Sequence, residues 1–202
     1  MVNVTRGFGL LEGFLSRKRA KMANKLINPA ERRGRIMDIG CGSFPYFLES
    51  TEFESKIGLD KMVTDEQIRQ FDAKNITLIR HDVTLDQPLP FSEEDFNVIT
   101  MLAVFEHIEP TVLQELITEI HRVLRSKGEY ILTTPAGWAD PILRTMAKLH
   151  LVSPEEIDEH QDKYTLKMIQ GFLLKAGFKK ENISTGTFEL GMNLWAKATK
   201  EG

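Results

Sequence analysis

Cysteine is nearly absent from this 202-residue chain. Cys41 is the only one, which excludes an intrachain disulfide and a cysteine-built zinc cluster. Charge of one sign is lacking as well: 26 Lys and Arg stand against 29 Asp and Glu, so the chain as a whole has no pull toward nucleic acid or an anionic membrane. Long apolar runs are missing, and no segment approaches the roughly 20 residues that cross a bilayer as a helix. The stretch from Gly7 to Leu15 is short, interrupted by Glu12 and followed by basic residues, unlike a signal peptide. The expected localisation is therefore cytoplasmic. Neither a low-complexity linker nor an internal repeat is present. No G-x-G-x-x-G opens the first helix, which disfavours a nicotinamide-dependent Rossmann oxidoreductase. What remains is a soluble composition long enough for one domain with a substantial core.

The most informative stretch that is present runs Arg35-Ile36-Met37-Asp38-Ile39-Gly40-Cys41-Gly42. Apolar residues around an Asp, then two glycines one residue apart, read as a buried strand delivered into a tight turn poor in side chains. Glycines there let backbone N–H groups approach a bound molecule closely. Asp38 can accept hydrogen bonds from a cationic amine or steady the turn. Lys56-Ile57-Gly58-Leu59-Asp60 is a second strand ending in a carboxylate; in doubly wound folds an acid there accepts from ribose hydroxyls. A third strand, Ile76 to Arg80, leads into His81-Asp82-Val83. An acid followed by an apolar residue suits an adenine, the carboxylate taking the amine and the side chain packing on the ring.

A fourth strand, Phe96 to Leu102, runs into Ala103-Val104-Phe105-Glu106-His107, and a fifth covers Gly128 to Pro135. Helices are expected over about 9–27, 43–53 and 110–126, an alternation that argues for a parallel sheet. After Pro135 the rhythm breaks. Segment 136–163 carries Gly137, Trp138, Pro141, a helical stretch Ile142 to Leu151 and an acidic run at 155–159. Thr165 then caps a helix reaching about Ala176, closed by Gly177. Strands at about 181–189 and 192–199, joined at Gly191, imply an antiparallel hairpin.

The set DIGCG, GLD, HDV, FNVITMLAVFEHI, HRVLRSKGEYILTTP and LLKAGF, in this order from about residue 10 to 199, resembles the class I S-adenosylmethionine-dependent methyltransferases, most of all the branch acting on small molecules, lipids or sugars. The resemblance implies a Rossmann-like, doubly wound α/β fold: a seven-stranded sheet with its last strand antiparallel and helices on both faces. It implies one domain over 1–202, with an N-terminal helix in 1–30 and an acceptor-site insert at 136–163. The cofactor would be S-adenosylmethionine and the product S-adenosylhomocysteine. By resemblance, Gly40, Cys41 and Gly42 shape the methionine part of the pocket beside Asp38, and Asp60 with neighbouring Lys61 holds the ribose. Asp82 and Val83 frame the adenine, and backbone near Leu102 meets the amino-acid portion. The chain departs from the family where many members carry a further glycine: Phe44 stands there, followed by Pro45, so either the ring points away from the cofactor or the turn differs.

Methyl transfer is an in-line displacement, so positioning supplies much of the rate; an alcohol or phenol acceptor also benefits from a base. His107, just past the fourth strand, is the best candidate, with a turn-supporting role as the alternative. His160 and Tyr164, before Thr165, form a second group, for which simple capping by Thr165 is the favoured reading. Ala103 stands where related metal-binding enzymes carry a Glu, so no metal is expected at Glu106 and His107. The strand-four end lacks an Asn/Asp-Pro-Pro-aromatic pattern, and the basic residues Arg17, Lys18, Arg19, Lys21, Lys25, Arg32, Arg33 and Arg35 read first as a solvated helix face. The expected partner is a small-molecule, glycan or lipid-precursor acceptor methylated at oxygen, with no nucleic acid. The alternative is a non-catalytic cofactor-binding or partner-subunit protein on the same fold. The oligomeric state is left open.

Overall fold

The computed structural model describes residues 12–139 and 164–202. Its centre is a seven-stranded sheet. In chain order the elements are α1 (Glu12–Leu26), β1 (Arg35–Ile39), α2 (Tyr46–Glu49), β2 (Ser55–Asp60), α3 (Asp65–Asp72), β3 (Ile76–Arg80), β4 (Phe96–Leu102), α4 (Pro110–Val123), β5 (Leu124–Pro135), α5 (Leu166–Lys175), β6 (Ile183–Phe188) and β7 (Asn193–Thr199). Spatially the strands run β3-β2-β1-β4-β5-β7-β6. β7 is antiparallel to both of its neighbours, while β1 to β5 pair in parallel. The order reverses at β1, so the crevice between the carboxyl ends of β1 and β4 is the natural ligand position.

Alternation along the central strands feeds two cores, one on each face. Met37, Ile39, Ile99, Met101, Tyr130 and Leu132 pack with Leu113, Leu116, Ile117 and Ile120 of α4 and Ile169 and Leu173 of α5. Ile36, Val98 and Ile131 face the other way, onto Ala20 and Ala23 of α1 and Phe71 of α3.

Three sequence expectations shift. The helix expected over 43–53 is a single turn, because Pro45 fixes its start and the Ser50 hydroxyl donates to the Phe47 carbonyl at 3.0 Å, ending it. The helix expected to reach 126 stops at Val123, where buried Leu124 turns extended and pairs with Phe96. β5 therefore begins at Leu124, and an irregularity with Lys127 at φ 67° intervenes before Val98 pairs with Glu129. The rest of the tail follows its signals. Thr165 accepts from the Met168 amide at 3.3 Å, and Gly177 adopts φ 107° beyond α5. The start of the N-terminal helix at 9–11, the stretch Ile142 to Leu151, the acids at 155–159 and His160 lie outside the described residues.

α1 is fastened at its C-terminal end. Glu129, buried on β5, accepts from the Asn28 amide at 2.9 Å and pairs with Lys197 of β7 at 2.7 Å. The same ammonium donates to the Leu26 carbonyl at 2.8 Å, so the buried pair is hydrogen-bonded as well as charge-matched. A second tie joins Arg32 to the Asn24 carbonyl at 3.0 Å and to the Thr51 hydroxyl at 2.9 Å.

Candidate cofactor and active site

β1 ends in a turn that only glycine makes cheaply. Gly40 and Gly42 both lie in the left-handed region, at φ 73° and 70°. Their surroundings differ. A Cβ on Gly40 would overlap Val104 Cγ2, whereas one on Gly42 would meet nothing within 4 Å among the described residues and would stand in open space. Gly40 N–H and Cys41 N–H donate to the Leu59 carbonyl at 2.8 and 3.2 Å, locking the turn to β2. The Cys41 side chain is buried, and a Cβ on Gly58 would come within 2.7 Å of its sulfur. Gly58 is thus a clearance for the turn, a role that the short run Lys56 to Asp60 gave no reason to assign.

Asp60 braces this arrangement. Its Oδ2 accepts from the Gly42 amide at 3.0 Å and its Oδ1 from the Met62 amide at 2.8 Å. A carboxylate accommodates about four hydrogen bonds, so these two orient the group for further donors. Lys61 beside it is exposed.

Asp38 is nearly sealed from solvent. Thr100, its register partner on β4, donates its hydroxyl to Asp38 Oδ1 at 2.6 Å. Burial pushes the Asp38 carboxyl up to about 7; the Thr100 hydrogen bond works against this, and the Asp60 charge adds to it. Two carboxyl groups therefore converge on one glycine turn. The sequence marks Thr100 only as a hydroxyl in a mostly apolar strand; its pairing with Asp38 follows from register.

Asp82 is more local in its commitments. Its Oδ1 accepts from the Thr84 hydroxyl at 2.6 Å and the Thr84 amide at 3.0 Å. Burial raises its pKa, but those two bonds, with Lys61 and His81 nearby, outweigh burial and hold it below the usual aspartate value. Val83 is half-buried against the α4-side core. Asp82 and Val83 follow β3, at the outer end of the crevice from β1.

Beyond β4, Leu102 is half-buried and Ala103 takes φ 57°, donating its N–H to the Thr133 carbonyl at 2.9 Å. A non-glycine residue there carries backbone strain of about 1 kcal/mol. That kink lets Val104 fall over Gly40 and starts the single 3-10 turn Phe105–His107. His107 is half-buried, with its amide on the Val104 carbonyl at 3.0 Å. Glu106 is buried and accepts from the Thr134 hydroxyl at 3.0 Å, a structural tie to β5. No cluster of three metal-ligating side chains occurs among the described residues.

Two side chains singled out in the sequence face away from the crevice. Phe44 packs edge-on against Phe71 of α3, ring centroids 5.6 Å apart, as expected for a ring that leaves the turn open. Tyr164 is buried edge-on against Phe105 at 4.7 Å, and its hydroxyl reaches the Ile108 carbonyl at 3.5 Å. It is a core pillar.

Over residues 10–183 the sequence matches the family model for a methyltransferase domain. The chain belongs to this family. It carries the class I S-adenosylmethionine-dependent methyltransferase fold, whose cofactor is S-adenosylmethionine. Among curated proteins, it is similar to the tRNA N(3)-methylcytidine methyltransferase Mettl2 of Drosophila melanogaster, 33% identical over 103 residues, covering 46% of this chain and 32% of that protein. It is also similar to the uncharacterized methyltransferase YcgJ of Bacillus subtilis, 26% identical over 125 residues, covering 58% of this chain and 48% of that one. The chain thus spans about a third and about a half of the length of these two relatives. Among solved structures, a putative methyltransferase of Haloferax volcanii in complex with the Trm112 activator superposes with a TM-score of 0.70 at 13% identity, covering 95% of this chain and 93% of that chain. A Mesorhizobium loti S-adenosylmethionine-dependent methyltransferase gives 0.65 at 19% identity, covering 92% and 100%. These likenesses are of fold. No helix among the described residues of the methyltransferase is long and apolar enough to cross a membrane.

Proposed function

We propose that the protein is an active methyltransferase that holds S-adenosylmethionine at the β1–β4 crevice and delivers its methyl group to a small-molecule, glycan or lipid-precursor acceptor. The observation that carries this is the contrast between the two glycines: Gly40 is closed by Val104, while Gly42, bonded to Asp60, opens on free space among the described residues. The cofactor supplies a sulfonium methyl: the bond from acceptor to carbon forms as the carbon–sulfur bond breaks, and sulfur keeps the electron pair as a neutral thioether. The glycine turn admits the methionine part, the carboxyl group of Asp38 meets its ammonium, and Asp60 accepts from the ribose hydroxyls. Asp82 and Val83 border the adenine, with Lys61 at the rim and the Leu102 backbone beside the amino-acid portion. His107 stands three residues past the valine that covers Gly40 and takes the proton of an oxygen acceptor. Segment 136–163 contributes to acceptor selection.

A tRNA acceptor is the second reading. It is favoured by the identity shared with a tRNA-modifying enzyme, which stands against the expectation that nucleic acid plays no part. Calorimetric titration with S-adenosylmethionine and S-adenosylhomocysteine, with a nicotinamide cofactor as control, tests the site. Asp60→Ala is expected to weaken the sulfur ligands at least tenfold, and unchanged affinity refutes the assignment. Transfer of labelled methyl to lipid extract, glycan pools or tRNA then decides the acceptor.

A further inference from the structure

Seven large apolar side chains are exposed among the described residues, and five of them stand at one end of the molecule. Met62 and Leu85 follow the carboxyl ends of β2 and β3. Trp138 follows β5, and Leu190 tips the turn between β6 and β7 with 96% of its surface exposed. Trp138 and this turn adjoin, since a Cβ on Gly191 would lie 3.7 Å from the Trp138 ring. Phe14, on the first turns of α1, completes the set.

The position of α1 follows from its charges. Its C-terminal end is pinned to Glu129 and Lys197, near the opposite ends of their strands from the crevice. Its earlier turns lie by the β6–β7 tip: burial raises the Glu189 carboxyl, and the Arg19 and Lys18 charges act on it to oppose that rise. Lys18 also sits over the Phe14 ring, 5.1 Å from its centroid. Ala20, Ala23 and Ile27 face the core, while Phe14, Arg17, Lys18, Lys21 and Lys25 share the exposed face at helical spacing. An outward cationic stripe headed by an aromatic ring therefore runs into the apolar rim of the crevice.

We propose that this rim and the first turns of α1 form a docking surface for an anionic lipid bilayer, with the mouth of the crevice turned toward the membrane. Aromatic and aliphatic tips flanked by Lys and Arg are the chemistry that seats a protein in the headgroup layer. Charge complementarity selects the anionic leaflet, because each cation near such a surface contributes about fivefold in affinity. RNA would also attract the cations and stack on Phe14 and Trp138, but it gives Met62, Leu85 and Leu190 nothing to bury against. A bilayer takes all five. An acceptor entering from that side would be amphiphilic. The docking stands on the surface alone and does not require the methyl-transfer reading.

Vesicle co-sedimentation of the full chain tests this, with phosphatidylcholine vesicles against phosphatidylcholine carrying phosphatidylglycerol. Binding to the anionic vesicles that weakens with salt is expected. Lys18→Glu/Lys21→Glu should reduce it at least about 25-fold, from two lost cations at about fivefold each. Leu190→Asp, compatible with the left-handed backbone at Leu190, should reduce it about tenfold or more. Lys180→Glu, before β6 at the other end of the sheet, should leave it unchanged. Calorimetry with S-adenosylhomocysteine on each variant shows that the crevice is intact and keeps this question apart from cofactor binding. Absence of binding to anionic vesicles, or binding indifferent to both rim variants, overturns the proposal. So does capture of unfractionated tRNA, lost in Lys18→Glu/Lys21→Glu, by a protein that ignores the vesicles.

Discussion

Replacing Asp38 by Asn removes one ionisable group from a sealed position while keeping an oxygen for the Thr100 hydroxyl. In the folded protein the carboxyl is raised from 3.8 to about 7, mainly by burial. The folded state therefore holds the Asp38 proton more tightly than the unfolded chain does. The stability this confers is present in full below about pH 4 and is lost as pH rises to about 7. A shift of about 3 units corresponds to at most about 4 kcal/mol at about 1.4 kcal/mol per unit. The amide of the Asp38→Asn variant has no such dependence. The stability of the wild-type protein minus that of Asp38→Asn should thus fall steadily between pH 4 and 7, then level off. Urea denaturation of both ligand-free proteins at pH 4, 5, 6, 7 and 8 measures it, and taking the difference cancels every other titrating group. A difference that stays flat over this range would falsify the account of a sealed, proton-holding Asp38. The cofactor's ammonium should reverse the preference, so S-adenosylmethionine binding at pH 6 should release a proton, visible as a binding heat that changes with buffer ionisation enthalpy.

The two glycines of the turn should fail differently. Gly40→Ala meets Val104 as well as backbone strain and should lower the denaturation midpoint by the equivalent of about 2 kcal/mol or more. Gly42→Ala carries only the strain, about 1 kcal/mol, but should abolish cofactor binding; intact binding would place the ligand elsewhere. Gly58→Ala must displace both Cys41 and Leu78, so it should destabilise by about 1–3 kcal/mol and weaken the cofactor through the turn; a wild-type thermal midpoint would refute the clearance argument. His107→Ala should keep cofactor affinity and lower turnover about a hundredfold or more on an oxygen acceptor, and full turnover would remove it as the base.

Much of the fold was legible because the central parallel strands β1 and β4 are buried on both faces. Ile36 to Ile39, Ile76 to Arg80 and Phe96 to Leu102 appear as mostly apolar runs whose bounds match the observed strands within a residue. The tail was equally readable, since Thr165, Gly177 and Gly191 mark elements by local chemistry. Most of what escaped was decided by partners distant in sequence. The helix after Pro45 is the exception: it was read at full length although the contact that ends it, Ser50 onto Phe47, is only three residues long. Leu124 looked helical because its pairing with Phe96 is invisible in a window. At the site, Asp38, Gly40, Gly42 and Asp60 stood out from type and spacing, whereas Thr100 matters only through register. Gly58 and Val104 matter only through contact with the turn, and no periodicity reports a clearance.

The tie between Leu26 and Lys197 joins residues 171 positions apart, and this gives the molecule an order of assembly. As the chain is made, α1 emerges long before the ammonium that closes over its last carbonyl. Until β7 is in place, Glu129 has no ion-pair partner on that strand, and β5 presents an open edge. The helix is thus available well before it can be secured. A chain cut before residue 193 should keep its central strands, lose the seat of α1 and aggregate along β5. Protection of α1 amides from hydrogen exchange should accordingly appear together with that of β7, and not with β1, its near neighbour in sequence.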